Sequence, residues 1–209
     1  YVGHPLMERL AEMRPDAEEQ RRRDNAGQPV VLVLPGSRRS EIHHLMPVFG
    51  EAVAKVAAAV PGARFVLPAV QRLQPLIAEA VARWPVAPEI VTGEAAKLAA
   101  FREARAALAA AGTVTLELAL SQIPTVAAYR GAGWEAFLAR RLIKLPSVIL
   151  PNLILGRSVV PEFIQEEATA DALSGHLLAA MAEGDKRQEQ LDGFAEVETI
   201  MRSAGPSPA

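Results

Sequence analysis

The sequence predicts an α/β architecture, a parallel sheet covered by helices on both faces, and three observations carry that prediction. Short apolar runs alternate with helical patterns along most of the 209 residues, and strand alternating with helix builds a parallel sheet through right-handed crossovers. The first run, VVLVL at 30–34, shows no polar alternation, which marks a strand buried on both faces. Two of the runs break at a glycine, at Pro35-Gly36 and at Gly112, where a parallel sheet places its ligand-binding edge.

Strands are expected at Val30–Leu34, Arg64–Leu67, Glu89–Thr92, Ala106–Ala110, Thr125–Tyr129 and Ser147–Leu150. Between the first two, Val48, Ala52, Val53, Val56 and Val60 recur at helical spacing, Pro47 suits a first turn and Pro61-Gly62 ends the segment. The same reasoning gives helices over Leu73–Trp84, Glu94–Phe101, Thr113–Leu120 and Gly133–Ile143. Alanine-rich stretches such as AVAKVAAAV are helix formers. The tail beyond Thr169 reads as polar helix, and SAGPSPA as a linker or the start of another helix. Ahead of the first strand, EEQRRRDNAGQ reads as a solvated helix end and loop, with its arginine run on the surface.

Half of the residues are hydrophobic and the net charge is −2, which excludes a strongly basic nucleic-acid binder while allowing local basic patches. With no cysteine, a disulfide, a thiolate nucleophile and a Cys-ligated zinc are all excluded, in keeping with a cytoplasmic setting. No apolar run reaches the roughly 18 residues of a membrane span. The first residues, Tyr1-Val2-Gly3-His4-Pro5, lack both an initiator methionine and the shape of a signal peptide, so a piece of a longer protein is expected.

Three segments carry candidate chemistry. At Gly36-Ser37-Arg38 the glycine lets backbone approach a ligand, Ser37 adds a hydroxyl and an N–H, and Arg38 a fork of donors matched to phosphate. The spacing is neither Walker A nor GxGxxG, and alone it reads equally as loop chemistry. In AAAGTVTLELA, Gly112 precedes a helix opened by Thr113 and Thr115, with Glu117 one turn in. A phosphate suits that helix start and a ribose diol suits the carboxylate, against a plainly capped helix as the alternative. In LPNLILGRSVVPEFIQEE, Asn152 follows the last expected strand, and Gly156-Arg157 precedes a short helix bearing Glu162 and Gln165. Asn152 there serves a ligand or its own Asx turn. Adjacent His43 and His44 do not share a helix face, so no metal is expected. The segment WEAFLARRLIK, Trp134–Lys144, reads as a core-facing helix with snorkelling cations or as an acyl-chain or membrane-surface contact.

Taken in order, LPGSRRSEI, GTVTLELA, VAAYR, FLARRLIK and LPNLILGRSVVPEFIQEEAT resemble the carboxyl-terminal half of the lipid-A-disaccharide synthase family, from the opening YVGHPL to about Asp192. The resemblance implies a Rossmann-like parallel sheet forming one half of a two-domain GT-B glycosyltransferase. Residues 1–28 would lead in from an amino-terminal half, 29–200 would be the UDP-sugar-binding domain, and 201–209 would begin a final helix. The implied reaction is inverting. It joins UDP-2,3-diacylglucosamine to 2,3-diacylglucosamine 1-phosphate and releases UDP without a metal or other cofactor, at the cytoplasmic face of a Gram-negative inner membrane.

By the same resemblance Arg38 and Asn152 would be the activity-critical pair near the diphosphate, and Glu117 would take the ribose. Gly36, Ser37, Gly112, Thr113 and Thr115 would surround the phosphates, and backbone near Thr92-Gly93 would meet the uracil. Where the family has Ala-Ser-Gly-Thr, this chain has Ala110-Ala111-Gly112-Thr113, one hydroxyl fewer. The acceptor pocket and the general base would belong to the amino-terminal half. Two other readings stay open: another UDP-sugar enzyme of the same architecture, such as a 2-epimerase or a peptidoglycan-precursor transferase, and a non-catalytic nucleotide-binding or interaction module with a flavodoxin-like sheet.

Overall fold

The computed structural model describes residues 5–24, 27–131 and 147–203. Three short helices come first, α1 (Pro5–Glu8), α2 (Leu10–Met13) and α3 (Ala17–Asp24). Then follow β1 (Val30–Leu34), α4 (Arg39–Ala59), β2 (Arg64–Ala69), α5 (Gln74–Val81), β3 (Glu89–Thr92), α6 (Glu94–Glu103), β4 (Ala104–Ala110), α7 (Val114–Leu120) and β5 (Thr125–Tyr129). After the undescribed stretch come α8 (Leu150–Leu155), β6 (Glu162–Ile164), α9 (Ala170–Met181) and α10 (Asp185–Ser203).

The six strands lie in the order β3-β2-β1-β4-β5-β6, and every pair is parallel. This is the doubly wound order in which the chain, having built outward from β1 on one side, returns to start at β4 on the other. β1 and β4 are buried along their whole lengths, as expected for strands covered on both faces. Alternate residues face opposite layers. Val31 and Val33 pack with Phe49, Val53, Leu173 and Leu177 of α4 and α9. Val30, Leu32 and Leu34 pack with Phe101 of α6 and Leu118 of α7. The run of small residues in β4 lets both helical layers approach closely.

Four sequence expectations are corrected. Ser147–Leu150 is not a strand: the Ser147 hydroxyl accepts from Ile149 N at 3.1 Å, and Pro151 stands in the first turn of α8, a position that suits its fixed φ and missing N–H. The sixth strand is instead Glu162–Ile164, which pairs beside β5 and had read as helix. Its residues follow Val159-Val160-Pro161, a stiff lead-in that fits a sheet edge better than a helix. α4 starts at Arg39, eight residues before Pro47, which lies inside it. The proline forfeits one backbone bond there, and the burial of Met46, Val48 and Phe49 around it holds the helix.

The arginine run is the fourth correction. Arg23 is buried and donates to Ser121 O at 3.1 Å and to Gln122 O. It thereby caps the carbonyls at the end of α7. Burial above all, then the neighbouring Arg187, pushes the pKa of its guanidinium well down from the ordinary arginine range, to about 9. Leu10 and Met13 pack with Leu116, Leu120 and Val197, so α2 is part of the hydrophobic core as well. The expected helix over Gly133–Ile143, and the segment Trp134–Lys144 with it, lies outside the described residues.

Candidate functional site

A cleft of about 570 Å³ opens at the carboxyl ends of β1, β2, β3 and β4, across the point where strand order reverses. Parallel sheets leave their crevice there because the loops after β1 and β4 run off in opposite directions. The volume falls within the range of small-molecule sites. Its walls include Gly36, Ser37 and Arg38 after β1, Pro68–Gln71 at the end of β2 and just beyond it, Gly93 with Glu94 and Lys97 after β3, and Gly112, Thr113 and Glu117 after β4.

The loop after β1 is organised by Glu41. Its Oε2 accepts from Ser37 N at 2.9 Å and from Arg38 N at 3.1 Å. Its Oε1 receives Arg38 Nη1 at 3.2 Å. A glutamate at the third helical position reaching back to the N-cap N–H is a capping-box contact, satisfying donors the helix itself leaves free. Gly36 makes it possible: its φ is +105°, and a Cβ there would sit 2.2 Å from Glu41 Oε2. Arg38 is 77% exposed along its side chain and stands in solvent over the cleft. Arg72 closes the loop from β2, donating to Ser37 O at 3.4 Å.

The loop after β4 leaves open space at Gly112, where an added Cβ would meet nothing within 4 Å. Glu117, one turn into α7, is ion-paired with Lys97 of α6. Lys97 Nζ also lies 3.9 Å from Glu94 Oε1 and 5.4 Å from the centre of the Phe101 ring. Glu94 accepts in turn from Arg9 at 2.7 Å, and that bond chiefly holds its carboxyl below the usual range.

The structure therefore gathers Gly36, Ser37, Arg38, Gly93, Gly112, Thr113 and Glu117 around one cleft and leaves three other candidates off its walls. Thr92 ends β3 beside the cleft without lining it. Thr115 is buried, and its hydroxyl donates to Gly112 O at 2.7 Å, closing its own helical turn. Asn152 is also buried. Its Oδ1 accepts from Val159 N and Val160 N, and its Nδ2 donates to Val160 O, each at 2.9 Å. In this chain the asparagine clamps the loop between α8 and β6.

Glu41 and Lys97, which line the cleft, and Arg72, which braces its first loop, are residues that the sequence reading did not assign to the site. The glutamate three residues past Arg38 was a legible capping signal. Lys97 and Arg72 carried none, since their partners lie 20 and 35 residues away along the chain. Among the described residues no three His, Cys, Asp or Glu side chains cluster to hold a metal, and no helix is long and apolar enough to cross a membrane.

The family described as lipid-A-disaccharide synthetase matches residues 1–205 of this chain. The chain belongs to that family. The lipid-A-disaccharide synthase of Bradyrhizobium diazoefficiens is 51% identical to it over 209 residues, all of this chain and 53% of the relative. The chain thus spans about half the length of the curated relatives it matches. Among solved structures, the carboxyl-terminal domain of a glycosyl transferase group 1 family protein from Francisella tularensis superposes with a TM-score of 0.56 at 11% identity, covering 93% of this chain and 96% of that one. A spinosyn rhamnosyltransferase complexed with thymidine diphosphate gives 0.55 at 13% identity, covering 85% and 42%. At such identities the likeness establishes the fold alone: the Rossmann-like unit of GT-B glycosyltransferases.

Proposed function

We propose that this chain is the donor-binding half of an inverting glycosyltransferase of lipid A biosynthesis. It would present UDP-2,3-diacylglucosamine to 2,3-diacylglucosamine 1-phosphate, with release of UDP. Family membership supports the reaction, and the observation that carries the site is the convergence of Arg38, Gly112, Thr113 and Glu117 on one cleft at the strand-order reversal. That convergence suits a nucleoside diphosphate, with cations and backbone donors for the diphosphate and a carboxylate for the ribose diol beside it. In the fold relative, the bound molecule is thymidine diphosphate, which shares the diphosphate but, as a deoxynucleotide, has no ribose diol.

In this reading the acceptor 6-hydroxyl attacks the anomeric carbon as a base in the amino-terminal half removes its proton. UDP departs as an anion. Arg38 stands where it can exchange Glu41 for the diphosphate, and a charge-assisted contact to a leaving anion is favoured most when charge has developed. Asn152, taken from the resemblance as activity-critical, would act from where it sits, by fixing the α8–β6 loop. No cofactor is assigned to the reaction. In the same reading the full-length protein would work at the cytoplasmic surface of a Gram-negative inner membrane, because both proposed substrates carry acyl chains.

Titration calorimetry tests the site. The chain should bind UDP weakly, with only one wall of a two-domain cleft present, and form no disaccharide unless the amino-terminal half is added. Arg38→Ala should weaken UDP by roughly tenfold or more, the value of a hydrogen bond to a charged group, and leave uridine nearly unchanged. Equal losses for the two would detach Arg38 from the diphosphate. No binding of UDP at millimolar concentration would favour a non-catalytic module.

A further inference from the structure

Lys97 lines the cleft, yet its ammonium is spent on the protein. It meets Glu117 Oε2, it lies over the Phe101 ring, and Glu94 stands 3.9 Å away on a further side. The Lys97 and Glu117 side chains are 23% and 20% exposed, so the pair is largely withdrawn from water, and removing either member would leave the other's charge poorly compensated. Arg38 differs: it too meets a carboxylate, Glu41 at 3.2 Å, but its side chain is 77% exposed, which leaves donors open to a ligand anion. The ion pair uses one oxygen of Glu117 and leaves Oε1 as the acceptor available to a ligand.

We infer that Lys97 is a positioning residue for ribose recognition. It pins the Glu117 carboxylate against the wall of the cleft, so that a nucleoside diol meets an acceptor already in place. The inference rests on the nucleotide-donor reading and deepens it. A side chain fixed before binding does not have to be ordered by the ligand, which is the source of affinity in a preorganised site. Without the cation, Glu117 turns toward solvent, and the diol loses its fixed partner.

Binding of UDP, 2′-deoxy-UDP and uridine to this chain separates the alternatives. The wild-type chain should prefer UDP over 2′-deoxy-UDP by roughly tenfold, about one charge-assisted hydrogen bond. Lys97→Met should shrink that preference to about twofold and weaken UDP and uridine by the same factor, while Lys97→Arg restores it. Should Lys97→Met melt below the assay temperature, Lys97→Gln, which keeps a donor without the charge, is read in the same way. An unchanged preference in the variant overturns the inference, as does a loss confined to UDP, which would make Lys97 a phosphate contact. A wild-type chain that binds UDP with no preference over 2′-deoxy-UDP also overturns it, while leaving the donor-site reading standing. A chain that binds none of the three overturns that reading, and the inference with it.

Discussion

Gly36 shows how one residue can decide a binding loop. Its φ of +105° is costly for any residue with a Cβ, and the space a Cβ would need is filled by the Glu41 carboxylate. Gly36→Ala is therefore expected to destabilise the chain by about 1 to 3 kcal/mol, as measured by urea denaturation. Part of that loss is strain and part is the eviction of Glu41 from the Ser37 and Arg38 N–H groups. In a double-mutant cycle with Glu41→Ala the two losses should fall short of additive, since the second substitution removes the clash. Strict additivity would show that Glu41 does not brace the loop.

At the scale of elements, the connection from α8 to β6 depends on Asn152, whose side chain serves three backbone groups at 2.9 Å. β6 is a three-residue edge strand, too short to hold its own approach. Asn152→Ala should leave buried backbone donors and an acceptor unpaired and cost about 2 to 4 kcal/mol. A thermal melt indistinguishable from wild type would show that the loop is held by other contacts. The α3 helix joins the fold by a similar device, with Arg23 donating to the carbonyls of Ser121 and Gln122.

For the whole molecule, pH acts through His176 on α9, which packs edge-on against Phe163 of β6 at 5.0 Å between ring centres. Burial first, then the charge of Lys186, lowers its pKa from 6.5. In the window just below 6.5 the unfolded chain takes up a proton that the folded chain refuses, so stability is complete above that window and declines as pH falls through it. His176→Gln should flatten this part of the profile, as read from urea midpoints at pH 7.5 and pH 5.5. An unaltered slope would place the pH dependence in other groups.

The sequence alone determined the alternation that makes the sheet parallel and the bounds of β1, β3 and β5, because short β-branched or apolar runs and the Gly or Pro breaks around them are local signals. It also marked Gly36, Arg38, Gly112 and Glu117, because glycine and charge at a strand end mean the same thing in any such sheet. It misplaced the sixth strand, because SVIL is the more apolar of the two segments while EFI opens on a charge, and only pairing along the edge of β5 selects the latter. It left Asn152 open between ligand and its own turn, and tertiary structure supplied partners that neither reading named, the backbone groups of Val159 and Val160. Lys97 was invisible: α6 and α7 bring it to Glu117 only when both pack on the same face of the sheet. Local pattern specifies elements, whereas the pairing of side chains from different elements exists only once the layers have packed.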